Sequence, residues 1–184
     1  MKNYLFLFLI IISCNKATQK DNIQAAKPAS KKELKKFYDS DKIEHFYLNI
    51  SEDSILNLLK LKNENKDQKK LRQLLVSDYP DSVSEPNFET DLVKYKFTKT
   101  ELSELKKKEV EKIFSQQDST PAEFLSCVPY YRDIFIFKKN DSIVGIAKIC
   151  FDCGISTFLG SNVDTGEFGL RTELNKLEKI VRNK

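Results

Sequence analysis

The chain has a single histidine, His45, and only five glycines among 184 residues. One imidazole leaves little scope for a Ser-His-Asp or Cys-His catalytic set, and no local pattern pairs His45 with a nucleophile. The sequence holds no phosphate-cradling glycine loop, no nucleophile elbow and no His-Glu-x-x-His pair. Val163-Asp164-Thr165-Gly166 contains an Asp-Thr-Gly triplet, but in one copy and with no apolar strand leading into it. It reads as a turn. A long hydrophobic run is also missing. The nine residues from Tyr4 to Ile12 rise only about 14 Å as a helix, roughly half the hydrocarbon thickness, so a permanent transmembrane span is not expected there. No charge of one sign dominates: 31 basic and 27 acidic residues leave a net charge of +4. The lysine groups Lys31-Lys32, Lys35-Lys36, Lys69-Lys70 and Lys106 to Lys108 alternate with glutamate or leucine at helical spacing and read as solvated helix faces. A nucleic-acid interface needs a concentrated basic stripe with interleaved aromatics, so no nucleic-acid partner is expected.

What is present begins at the N-terminus. Met1-Lys2-Asn3 is a positive start, Tyr4 to Ile12 an apolar centre, and Ser13 a small residue before a cut, which together make a secretory signal. An ordinary signal cut near Ala17 is one reading. The cysteine directly after the small residue favours another, because Ile11-Ile12-Ser13-Cys14 resembles the lipobox of bacterial lipoproteins. That resemblance implies removal of residues 1–13, a diacylglyceryl thioether on Cys14 and acylation of the new amino terminus. It implies a protein of the bacterial cell envelope, held to the membrane through the Cys14 lipid. Asn15, rather than aspartate, fits sorting to the outer membrane, facing the periplasm, in a Gram-negative host.

Residues 14–30 are polar and small with no apolar period, so they read as a flexible tether, with an r.m.s. span near 22 Å and a stretched reach of roughly 50 Å. Residues 31–184 are expected to form one globular domain. A domain of about 150 residues buries close to 70% of its unfolded surface, and 40% apolar with 32% charged residues is a globular balance. Lys31 to Asp39 suggests a short helix and Lys42 to Ile50 a strand with Phe46, Leu48 and Ile50 on one side. Ser51 offers an N-cap to a helix carrying Ile55, Leu58 and Leu59. Leu71, Leu74 and Leu75 mark a second helix, and Asp81 to Glu89 an exposed loop. Asp91 to Phe97 alternates as a one-sided strand, and Thr98 with Glu101 reads as a capping box for the helix of Leu102, Leu105, Val110 and Ile113. Thr120 with Glu123 is a second such box.

The last third is the most strongly patterned. Tyr130 to Phe137 and Ile143 to Phe151 are apolar on both faces, as strands in the middle of a covered sheet are. Lys138 to Ser142 joins them as a hairpin turn. Pairing Lys138 with Ile143 sets Phe137 opposite Val144, Phe135 opposite Ile146 and Asp133 opposite Lys148. Leu170, Leu174, Leu177 and Val181 make a C-terminal amphipathic helix. The expected class is α+β: a small antiparallel sheet with a central C-terminal hairpin packed against several helices.

With Cys14 on lipid, Cys127, Cys150 and Cys153 remain. In an oxidising compartment, one bridge and one odd thiol is the default. The hairpin register brings the three sulfurs together at its open end. A Cys127–Cys153 bridge, closing a loop of about 27 residues worth about 3 kcal/mol, competes with a Cys150–Cys153 pairing. Three thiolates also suit zinc, but the fourth ligand would have to be His45, which on a strand reads better as an ordinary residue. The segment from Cys127 to Gly154, with a cysteine before Tyr-Arg-Asp and an Ile-Cys-Phe-x-Cys ending, resembles one in small uncharacterised exported bacterial proteins. That resemblance implies no activity. The expectation is a lipid-anchored, non-enzymatic binding or scaffolding domain with no cofactor and no metal, acting on an envelope protein partner. The alternative is a thiol redox or metal-binding protein built on Cys127, Cys150 and Cys153.

Overall fold

Six of the seven residues of the strand Asp133–Lys139 are buried, and that strand runs through the middle of the sheet. The computed structural model describes residues 35–116, 127–166, 168–169 and 171–182. Their elements in chain order are β1 (Lys42–Tyr47), α1 (Glu52–Leu59), α2 (Lys66–Val76), α3 (Phe88–Lys94) and β2 (Thr98–Glu101). There follow α4 (Glu104–Ile113), β3 (Asp133–Lys139), β4 (Ser142–Cys150), β5 (Ile155–Leu159) and α5 (Arg171–Arg182). The strands form one antiparallel sheet in the order β2-β1-β3-β4-β5, an α+β architecture as expected. The β3–β4 hairpin lies towards its centre.

Strand side chains alternate between faces, and both faces are covered. On the first, Ile43, Phe135, Phe137, Ala147 and Ile149 meet Val110 and Ile113 of α4, Leu174 and Leu177 of α5, and Phe37, Phe114 and Phe168. On the second, Phe46, Leu48, Ile134, Ile136 and Ile146 meet Ile55 and Leu58 of α1, Leu74 and Leu75 of α2, and Phe88 and Leu92 of α3. Each of these side chains larger than alanine contributes about 1.5–3 kcal/mol by leaving water.

The helix starts follow local chemistry. Ser51 Oγ accepts from Ser54 N at 3.2 Å, capping α1 as expected. Asn65 and Gln68 bond each other's backbone N–H at 2.8 and 3.0 Å and begin α2.

Three expected elements differ. Residues 91–94 belong to α3 rather than to a strand. Phe88 and Leu92, four apart, bury one face, Glu89 and Asp91 sit in the positive first turn, and Val93 of the alternating set is 55% exposed. Thr98–Glu101 is β2, paired to β1, and the cap of α4 is Ser103, whose Oγ faces Lys106 N. The described part of the expected first helix is extended: Phe37 N donates to Phe114 O at 2.9 Å, and Lys36 bridges Ser115. The Thr120 capping box lies outside the described residues. Sequence reading also missed β5.

The hairpin pairs Lys138 with Ile143 as expected, but a β-bulge then intervenes and Phe137 faces Gly145. Beyond it every pair moves by one: Ile136 with Ile146, Phe135 with Ala147, Ile134 with Lys148 and Asp133 with Ile149. Asp133 and Lys148 therefore lie on opposite faces instead of opposite each other. At the bulge lies Tyr38, whose buried ring is 4.1 Å from that of Phe137 and tilted against it, and whose hydroxyl donates to Ile146 O at 3.1 Å. A Cβ on Gly145 would sit 2.2 Å from Tyr38 ring carbons.

Glu44 is fully buried on the second face, with the ammonium groups of Lys42, Lys99 and Lys138 at 3.2, 3.0 and 3.0 Å. Lys99 and Lys138 reach on to Glu89 of α3 at 2.6 and 2.7 Å. Burial pushes the Glu44 carboxyl up, but the three lysines together outweigh it and hold the group well below the usual range.

Two expectations follow. Gly145→Ala destabilises by about 1–3 kcal/mol in urea unfolding, and Tyr38→Ala in the same chain relieves part of the clash. Glu44→Gln leaves three lysines without their shared carboxylate and costs about 3 kcal/mol near neutral pH. A carboxyl with a depressed folded pKa stabilises above its unfolded value and loses that as pH falls, so the cost of Glu44→Gln shrinks in acid titration below about pH 4.

Candidate functional site

The end of β4 brings together most of the reactive side chains expected from sequence. Cys150 closes the strand, and Gly154 N donates back to Cys150 O at 2.8 Å, folding residues 151–153 into a tight turn. Gly154 has φ of 72°, the left-handed backbone that glycine adopts without penalty. β5 then pairs back along β4, Ile155 opposite Cys150. Within this corner Cys127 and Cys153 form the disulfide pair, with Cα atoms 6.2 Å apart. Cys150 is free and buried, and packs with Cys153 and Tyr131 in one cluster. Its sulfur accepts from Tyr130 N at 3.4 Å, while Cys153 Sγ lies 3.5 Å from Val128 O. Cys127 itself is exposed. Cys127 and Cys153 are thus paired at the open end of the hairpin, and Cys150 shares the Tyr131 cluster with Cys153. Cys14, the other site residue expected from sequence, lies outside the described residues.

Lys148 shares the sheet face of Cys150 and is an addition that sequence reading missed. Its Nζ donates to Ser77 O at 2.5 Å and Tyr79 O at 2.8 Å, and stands 4.6 Å from the centroid of the Tyr131 ring. Burial drives its pKa down to about 7, with only Asp78 opposing. The Tyr131 hydroxyl bonds Thr157 Oγ1 at 2.9 Å, and burial raises its pKa. Arg132 pairs with Asp152 at the rim. A thiol, a disulfide, a phenol and an amine easily rendered neutral therefore occupy one corner.

The second polar group is on the opposite face. His45 and Phe135 stand opposite each other in β1 and β3, and His45 Nε2 meets Asp133 Oδ1 at 2.9 Å. Arg182 of α5 caps the same carboxylate: its Nε donates to Oδ1 at 3.2 Å and its Nη2 pairs with Oδ2. The guanidinium lies 4.7 Å from the Tyr47 ring centroid and also binds Glu178 at 2.8 Å. A recess of about 250 Å³ lined by Tyr47, Thr98, Thr100 and Val181 opens beside His45 and Arg182. Charge here is balanced within the protein, and the trio seats the last turn of α5 on the sheet. His45 is a buried and satisfied residue. Because it and Cys150 project from opposite faces, the zinc set of three thiolates and His45 is not assembled. Among the described residues no group of three or more His, Cys, Asp or Glu side chains is arranged to hold a metal ion.

Asp164 Oδ1 accepts from Gly166 N at 2.9 Å, which makes the Asp-Thr-Gly triplet a turn. Comparison with protein families, with curated proteins and with solved structures gives no match to this chain.

The buried amine has a measurable consequence. Its folded pKa of about 7 lies below the unfolded value, so the unfolded chain binds the extra proton between about pH 7 and pH 10. Stability rises with pH across that window from this group, by at most about 1.4 kcal/mol per unit. Lys148→Met lacks that increment, and urea midpoints for the two proteins at pH 7, 8 and 9 show the difference.

Proposed function

We propose that the protein is a lipid-anchored component of the bacterial cell envelope whose α+β domain binds or scaffolds an envelope partner without performing catalysis. The observation that carries this reading is the position of Cys14, directly after Ser13 at the end of the apolar run Tyr4 to Ile12. A thioether-linked diacylglyceryl group buries many methylenes at about 0.8 kcal/mol each, and two or more chains together give stable anchoring. Residues 15–30 then act as a polar spacer between the bilayer and the domain.

A second reading, thiol exchange through Cys127, Cys150 and Cys153, is favoured by one observation: the free thiol shares a cluster with one half of the disulfide pair.

Growth of expressing cells with an alkyne-bearing palmitate, followed by dye coupling, tests the anchor. The full chain takes up the label and partitions with membranes, while Cys14→Ser takes up none and is recovered in the soluble fraction. Equal labelling of both proteins would sink the lipid reading, as would absence of label on the unmutated chain. Crosslinking in membranes, with Cys14→Ser as control, identifies the partner: a crosslinked species retained by the anchored chain and lost in the variant supports the binding role.

A further inference from the structure

Cys150, Cys153 and Cys127 are arranged as a relay from the interior to the surface. Cys150 is 1% exposed, Cys153 is 8% exposed, and Cys127 is exposed. The turn closed by Gly154 N on Cys150 O places Cys150 and Cys153 three residues apart across a reversal of the chain. Such positions bring Cα atoms within about 7 Å, overlapping the separations at which disulfides form. Both pack in the Tyr131 cluster.

We propose that the bridge migrates between two pairings and so delivers the free thiol to the surface at Cys127, where it captures a disulfide-bearing partner. The proposal rests on the thiol-exchange reading given above and adds its path. As the turn of residues 151–153 opens and admits water, the Cys150 thiol gives its proton to that water and its thiolate attacks Cys153 Sγ. A Cys150–Cys153 bond forms, the Cys127–Cys153 bond breaks, and Cys127 departs as a thiolate. One disulfide and one thiol exist before and after, so neither oxidant nor reductant is consumed. The departing sulfur enters water, where a thiolate is solvated, whereas the starting thiol is enclosed by Tyr131, Cys153 and Ile155. Exposed Cys127 then attacks an accessible disulfide R–S–S–R, giving a Cys127–S–S–R mixed disulfide and releasing one R–S⁻. The partner class is a disulfide, on a protein or a small molecule.

The test treats the full chain, extracted in detergent without reductant, with 5,5′-dithiobis(2-nitrobenzoic acid) at pH 8 and maps the linkages by mass spectrometry without reduction. One equivalent of thionitrobenzoate is released over minutes to hours, the adduct sits on Cys127, and Cys150 is linked to Cys153. Cys150→Ser and Cys150→Ala both cut the release at least tenfold, with urea midpoints confirming that each is folded. An adduct on Cys150 with the Cys127–Cys153 pair intact overturns the migration, and so does release that begins only in guanidinium. In those cases a bridge that still opens in about 1 mM dithiothreitol keeps the broader thiol reading alive, while a resistant bridge ends it. Release of three equivalents, showing no bridge at all, overturns both.

Discussion

The bulge where the Phe137–Lys138 step meets Gly145 decides which side of the sheet each later side chain of the hairpin occupies. Period-two alternation makes this an all-or-none choice, since a slip of one residue exchanges the faces. The bulge is held by Tyr38, whose ring occupies the space a Gly145 side chain would need and whose hydroxyl is tied to Ile146 O. With that ring in place, Lys148 and Cys150 of β4 together take the face opposite Asp133, which the unbroken β1–β3 register sets on the His45 face. The presence of Lys148 and Cys150 on the second face of the sheet follows from this shift.

The buried charges are compensated to different degrees. Asp133 is enclosed but receives bonds from an imidazole and from two guanidinium nitrogens, and Glu44 is enclosed among three ammonium groups. A buried charge is tolerable when it is paired this fully. Lys148 is the exception: its ammonium meets two backbone carbonyls and an aromatic face, and its nearest carboxylate influence is Asp78. The desolvation cost therefore concentrates beside the free thiol and the disulfide pair.

Much of this architecture was legible because local signals agreed with the final packing. The Ser51 cap, the leucine stripe of α2, the doubly apolar hairpin strands and the C-terminal amphipathic helix each sit where pattern placed them. The errors arose where two patterns overlapped. Residues 91–97 satisfy an alternating template, but Phe88 and Leu92 also satisfy a helical one, and burial of those two side chains prevailed. Thr98 and Glu101 have capping chemistry, yet pairing with β1 offers their backbone a full ladder, and Ser103 supplies the cap instead. The pairing of His45 with Asp133 and Arg182 depends on contacts 88 and 49 residues apart, which no local pattern encodes. The burial of Lys148 depends on the bulge, for which a lone glycine in an apolar strand was the available sign.

β2, at one margin of the sheet, is four residues long and exposed at all four positions. Lys99 leans back across the sheet to Glu44 and Glu89, and Glu101 is held by Lys42. The outermost backbone is thus short and flanked by fixed charges of both signs. Another copy approaching edge to edge would have to strip water from those ion pairs to extend the ladder by only four residues, a poor exchange. The fold thereby carries a barrier to sheet-to-sheet polymerisation at this margin, useful to any protein that works crowded among copies of itself.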